Sequence, residues 1–152
     1  MASNWKFGRG KLGPLAPLVG KWRAEAESPM GPMICEREFA TILGGKYLQL
    51  DAIWRFGKNS ADGYRERAIF GPGADGTLSF WSFTSDGKRS EGRLVDAPDI
   101  HPKSVCFEAE MAAGIARQIY WPHETEGLSW AVEAKNKKGW RRFTNHHYHR
   151  VD

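Results

Sequence analysis

The sequence is poor in cysteine, in long apolar runs and in unbalanced charge, and each shortage excludes a class of protein. Only Cys35 and Cys106 occur among 152 residues, too few for a disulfide-framed secreted scaffold. Neither stands in a CxxC pair of the kind that binds zinc or exchanges disulfides. One disulfide and two thiols both remain open, with thiols expected in a cytoplasmic chain. Apolar runs such as 15–20 fall far short of the ~20 residues that a helix needs to cross a bilayer. The N-terminal segment carries Lys6, Arg9 and Lys11 without an apolar core, unlike a secretion signal. The expectation is a cytoplasmic location with no membrane partner. Charge of one sign is not in excess either: 22 Lys and Arg are interleaved with 18 Asp and Glu, for a net +4. The one basic cluster, 135–142, surrounds a turn rather than a recognition helix or a stacking platform, so nucleic acid is not an expected partner. HExxH and GxSxG signatures are missing. Gly8-Arg-Gly-Lys-Leu-Gly13 spells GxGxxG but follows no strand, and the Gly-rich 71–76 segment lacks the Lys-Ser/Thr of a phosphate loop.

Aromatic residues, by contrast, are plentiful at 12%, with seven Trp, within an ordinary globular mixture of 41% hydrophobic and 26% charged residues. The length suits one domain over 1–152, with 1–14 read as a flexible lead-in. From Leu18 onward the chain breaks into short alternating segments punctuated by Gly, Pro, Asp and Asn, and no 3.6-residue period persists. This predicts an all-β fold of ten strands, at about 19–28, 33–42, 46–56, 63–70, 77–84, 88–95, 104–110, 115–121, 128–135 and 140–150. Ten antiparallel up-and-down strands in so small a domain are best closed into one barrel, which removes exposed edges. Such a barrel is wider than one of eight strands, so an internal cavity is expected. The 12–18 segment, Leu-Gly-Pro-Leu-Ala-Pro-Leu, suits a single helical turn that caps one end.

Two turns set expectations for which side chains face inward. Asp86-Gly87 favours a type I′ hairpin, which would place Trp81, Phe83, Ser90, Gly92 and Leu94 on one face and Arg89, Glu91 and Arg93 on the other. Asn136-Lys-Lys-Gly139 suits a type I turn followed by a left-handed bulge, pairing Asn136 with Trp140. The apolar Leu128, Trp130 and Val132 then share a face with Thr144, His146 and Tyr148. The inward set of the last strand becomes Arg142, Thr144, His146, Tyr148 and Arg150, with Phe143, Asn145, His147 and His149 outward.

Polar groups that point into a barrel cost several kcal/mol unless they are paired or meet a ligand. Arg142, His146, Tyr148 and Arg150, with Trp81, Phe83 and Trp130 as an aromatic wall, are therefore the candidate ligand-binding residues. The expected function is binding of a small, largely apolar molecule, aromatic or carboxylate-bearing, in the barrel interior. The alternative is a cofactor-free enzyme (a lyase, isomerase, cyclase or decarboxylase) with His146 and Tyr148 as candidate catalytic base and acid. No metal or cofactor is expected. A strand turns at most His147 and His149 to one face, and His101 or His123 would have to complete a zinc set. Haem held by His146 ranks below plain histidines. Self-association into a homodimer stays open.

Gly20-Lys21-Trp22 at the start of the first strand and Arg150 at the end of the last resemble the signature of the calycin superfamily, the lipocalin and fatty-acid-binding-protein barrels. That resemblance implies that Trp22 plugs the barrel floor while Arg150 packs on it by cation–π contact and donates to nearby carbonyls. Glu36-Arg37-Glu38-Phe39, Leu43-Gly-Gly-Lys-Tyr-Leu48, Phe80-Trp-Ser-Phe-Thr-Ser-Asp-Gly87, Tyr148 and Arg150 resemble an uncharacterised bacterial family of lipocalin-like barrels over nearly the whole chain. The family implies a fold and assigns no function. A more distant similarity is to nitrobindin-like barrels, in which a histidine near the C-terminus ligates haem iron; the cluster His146-His147-Tyr148-His149 departs from that pattern.

Overall fold

A computed structural model describes residues 5–57, 63–112 and 114–151. It is all-β: a 3-10 helix at Gly13–Leu18 precedes ten strands, β1 Gly20–Ser28, β2 Gly31–Ile42, β3 Tyr47–Phe56, β4 Tyr64–Pro72, β5 Leu78–Thr84, β6 Arg89–Val95, β7 Val105–Met111, β8 Gly114–Pro122, β9 Leu128–Asn136 and β10 Gly139–Arg150. Each strand pairs antiparallel with its neighbours in sequence, and β1 meets β10 to close the barrel. Among the described residues no helix is long and apolar enough to cross a membrane.

Period-2 patterning sends one face of every strand to the barrel axis. Near the capped end the inward side chains fill the interior: Phe39, Leu48, Leu50, Phe70, Phe80 and Phe107 are all buried. Phe70 sits 5.2 Å from Phe107 and 5.9 Å from Phe80 between ring centroids. The 3-10 helix plugs that floor, because its two prolines preset the turn and leave Leu15 and Leu18 fully buried. Trp22 Nε1 donates to the Leu18 carbonyl at 2.8 Å. The Arg150 guanidinium lies 4.2 Å over the Trp22 ring and donates to the Val19 carbonyl at 3.0 Å. Gly20 is required beneath it: its φ is +132°, and a Cβ there would lie 2.2 Å from Arg150 Nη1. In the N-terminal segment, Trp5 is buried and its indole donates to the Lys103 carbonyl at 2.8 Å. Residues 1–4 lie outside the described residues.

Two hairpins depart from expectation, each by one residue. At β5–β6, Phe83 pairs with Arg89 and Trp81 with Glu91, not with Ser90 and Gly92. The connection is a three-residue loop, with Thr84 N–H bonded to the Lys88 carbonyl, Gly87 N–H to the Thr84 carbonyl, and Gly87 at φ +84°. The Asp86 carboxylate selects this loop over a type I′ turn by accepting from both the Thr84 hydroxyl and Lys88 N–H. The slip inverts the strand, since side chains alternate. Phe80 and Ser82 are buried, and Trp81 and Phe83 face outward, with Phe83 53% exposed.

At β9–β10, Asn136 pairs with Gly139 across a two-residue turn, and the ladder shifts between Arg142 and Thr144. The extra residue is absorbed by a bulge at Phe143 rather than by the turn. Pairing from Thr144 to Tyr148 is therefore as expected, with His146 opposite Trp130. Arg142 is instead turned out beside Glu133.

On the outside, the 96–104 connection folds over Cys106, Ile119 and Ala131, which with Ala97 form a small second core. Both cysteines are free and buried. The β1–β10 seam pairs only at Trp22–Arg150 and Arg23–His149. Beyond that the two strands part around a cleft of about 440 Å³ that His146 helps to line.

Candidate functional site

The inward stripe of β2 reads Met33, Cys35, Arg37, Phe39, so an arginine occupies a position that alternation assigns to the core. Arg37 is only 2% exposed. Its Nε donates to Tyr148 Oη at 3.0 Å and its Nη1 to Tyr120 Oη at 2.8 Å. Tyr148 in turn donates to Cys35 Sγ at 3.0 Å. The guanidinium carbon lies 4.2 Å from the Trp130 ring centroid and 5.1 Å from that of Trp54. Nη2 is buried and has no hydrogen-bond partner among the described residues.

All of these partners are neutral. A guanidinium stays protonated at any working pH. Burial pushes the phenols of Tyr120 and Tyr148 well above their ordinary range, and the Cys35 thiol upward as well. Glu66, which acts on Arg37 through space, has its carboxylate engaged by Ser82 Oγ at 2.5 Å. Cation–π contacts and two phenol oxygens soften the desolvation of Arg37 without cancelling its charge. The site therefore holds a fixed positive charge with an open hydrogen-bond donor, walled by aromatic faces.

His146 completes the wall. It is half-buried, with its ring nearly parallel to the Trp130 indole (13°, centroids 5.8 Å apart) and 6.4 Å from the Tyr148 ring. Burial and then the nearby Arg37 charge lower its pKa. The neutral imidazole is thus the form present at neutral pH.

Three of the residues singled out from sequence, Trp130, His146 and Tyr148, come together around Arg37. The other four do not. Arg142 is outside, where its Nε donates to Glu133 at 2.9 Å, because of the Phe143 bulge. Arg150 is spent on the floor, on Trp22 and the Val19 carbonyl. Trp81 and Phe83 are outside because of the β5–β6 loop. Sequence reasoning missed Arg37, Tyr120, Trp54 and Cys35. The signal for Arg37 was available in the alternation of β2, where Met33, Cys35 and Phe39 mark position 37 as inward.

No protein-family model matches the chain, and no curated protein matches it in sequence. What the structure defines is a closed ten-stranded antiparallel β-barrel with a buried arginine on its axis side.

Proposed function

We propose that this chain is a calycin-like cytoplasmic barrel that binds a small, largely apolar, carboxylate-bearing molecule in its interior, with Arg37 as the anion anchor. The observation that carries this reading is the buried, unpartnered Nη2 of Arg37. A buried guanidinium with only neutral partners gains most from a carboxylate, whose two oxygens match its fork. Trp54 and Trp130, on whose faces the guanidinium already rests, would take the apolar body next to the carboxylate. The ligand would enter from the side of the cleft between β1 and β10, which His146 lines. The Gly20, Trp22 and Arg150 arrangement at the floor supports the calycin kinship.

Binding is favoured over acid–base catalysis by the state of Tyr148. Its hydroxyl is engaged by both Arg37 and Cys35, and burial drives its pKa upward, away from the range in which it would exchange protons at neutral pH.

Native mass spectrometry of the purified protein, with organic extraction of what co-purifies, addresses identity. Affinity is read from the quenching of tryptophan fluorescence on titration with aromatic carboxylates and with their neutral amides. A charge-assisted hydrogen bond of about 1.5–3 kcal/mol predicts that the acids bind roughly 10–160-fold more tightly than the amides. Arg37→Met should erase that difference. Equal affinity for acid and amide in the wild type would overturn the reading. Haemin serves as a comparison ligand; its stoichiometric uptake, abolished by His146→Ala, would favour a haem protein instead.

A further inference from the structure

Outside the barrel, three donor groups converge that the interior site does not use. Alternation along β10 turns His147 and His149 to the outer face, and the β8–β9 connection, 123–127, folds against them. Glu126 Oε1 is in hydrogen-bonding contact with His149 Nδ1 and lies 3.8 Å from His147 Nε2. The three donor atoms all lie within 4.8 Å of one another. A tetrahedral zinc ion with bonds of about 2.0–2.1 Å separates its donors by about 3.3 Å, so small side-chain rotations bring all three onto one ion.

The surroundings hold one of these ligands in place. The ring of His123 stacks on that of His147 at 3.5 Å and 9°. His123 is itself fixed, because its Nδ1 accepts from the Thr125 N–H at 3.2 Å. His147 Nε2 donates to the Glu126 carbonyl oxygen at 2.7 Å, a hydrogen bond that aims this nitrogen at the Glu126 side and that the ion displaces when it binds. Only the stacked His123 supports without competing for a ligating atom; loss of an outer-shell partner of a metal ligand typically costs about 10–100-fold in affinity.

We propose that Glu126, His147 and His149 form a binding site for a borderline divalent metal ion of the zinc type, with the fourth position left to water. Two imidazoles and one carboxylate suit zinc better than the hard cations calcium and magnesium, which take oxygen sets. On binding, the ion replaces any proton on His147 Nε2 or His149 Nδ1, and that proton leaves to solvent. The third ligand is the loop glutamate. His101 lies elsewhere, its Nδ1 accepting from Lys103 N–H at 3.0 Å.

The test is calorimetric titration of the full-length protein with zinc chloride in a non-chelating buffer, alongside visible spectra with cobalt(II). One zinc per chain is expected, together with intense tetrahedral cobalt bands. His147→Ala, His149→Ala and Glu126→Gln should each weaken zinc at least about tenfold, a loss no smaller than that from a supporting partner. His101→Ala and Arg37→Met should leave it unchanged, the latter keeping this outcome distinct from that of the interior site. Circular dichroism of each variant verifies the fold. No zinc uptake by the wild type, undiminished uptake by the His147→Ala/His149→Ala double variant, or only pale octahedral cobalt spectra would each overturn the proposal.

Discussion

Among the described residues two arginines are buried, and they are treated in opposite ways. Arg117, on the outward face of β8, is 5% exposed and meets carboxylates on two sides. Its Nη2 is 2.7 Å from Glu133 and 2.6 Å from Asp99, its Nε donates to Glu133 at 2.9 Å, and the Trp140 ring covers it at 4.2 Å. Arg142 takes the second oxygen of Glu133. Arg37, on the inward face of β2, is equally buried, yet it has phenols and indoles in place of carboxylates and keeps one nitrogen unpartnered. The outer network is closed within the chain and needs nothing further. The inner arginine is left with one donor open, the position that the proposed carboxylate would fill.

The largest effect that would sharpen this contrast is expected at Arg117. Arg117→Met strands the buried Glu133 with only Arg142 and should lower unfolding stability by about 3–5 kcal/mol in urea titrations. A loss below about 0.5 kcal/mol would remove the structural role given to the network. Arg37→Met should behave differently. It removes a charge that no carboxylate contacts among the described residues, Glu66 acting on it only through space, so stability should fall far less than in Arg117→Met, while carboxylate binding disappears. A large destabilisation by Arg37→Met would break the comparison, making both arginines structural.

The smallest effect concerns His146. Its pKa is lowered by burial first and by the Arg37 charge second. A folded-state pKa below the unfolded value of about 6.5 means that this group's stabilisation is fully present above that value and is lost as pH falls through the folded pKa. NMR titration should place His146 below the unperturbed value in the wild type and move it part of the way back up in Arg37→Met. An unmoved His146 would mean that the charge of Arg37 does not reach it.

Much of the architecture was legible because turn residues and alternation report it directly. All ten strands overlap their expected spans, and the inward set Thr144, His146, Tyr148 follows from the apolar Leu128, Trp130 and Val132 across the ladder. What failed did so where two local structures compete for the same residues. Asp86-Gly87 is compatible with a two-residue or a three-residue loop, and the Thr84 hydroxyl decides between them. The Phe143 bulge carries no glycine to announce it, so alternation alone puts Arg142 on the wrong face. Arg37 was hidden in another way: flanked by Glu36 and Glu38 it reads as part of a solvated charge run, and only the residues two positions away on either side reveal that it points inward. The metal-ligating group was half visible, since His147 and His149 share a face by alternation, whereas Glu126 arrives from a loop whose path depends on the folded barrel.

The closing seam also bears on how the barrel assembles. Every other strand junction is a hairpin between neighbours in sequence, but β1 and β10 bring together residues such as Val19 and Arg150, 131 positions apart. Contacts of that separation repay their loop-closure entropy only after most of the chain is ordered, so the sheet should curl up hairpin by hairpin and shut at this seam last. With only two paired positions holding it, the seam is also where the finished barrel should breathe first. Its amide protons on β1 and β10 should exchange with solvent ahead of those in the hairpins.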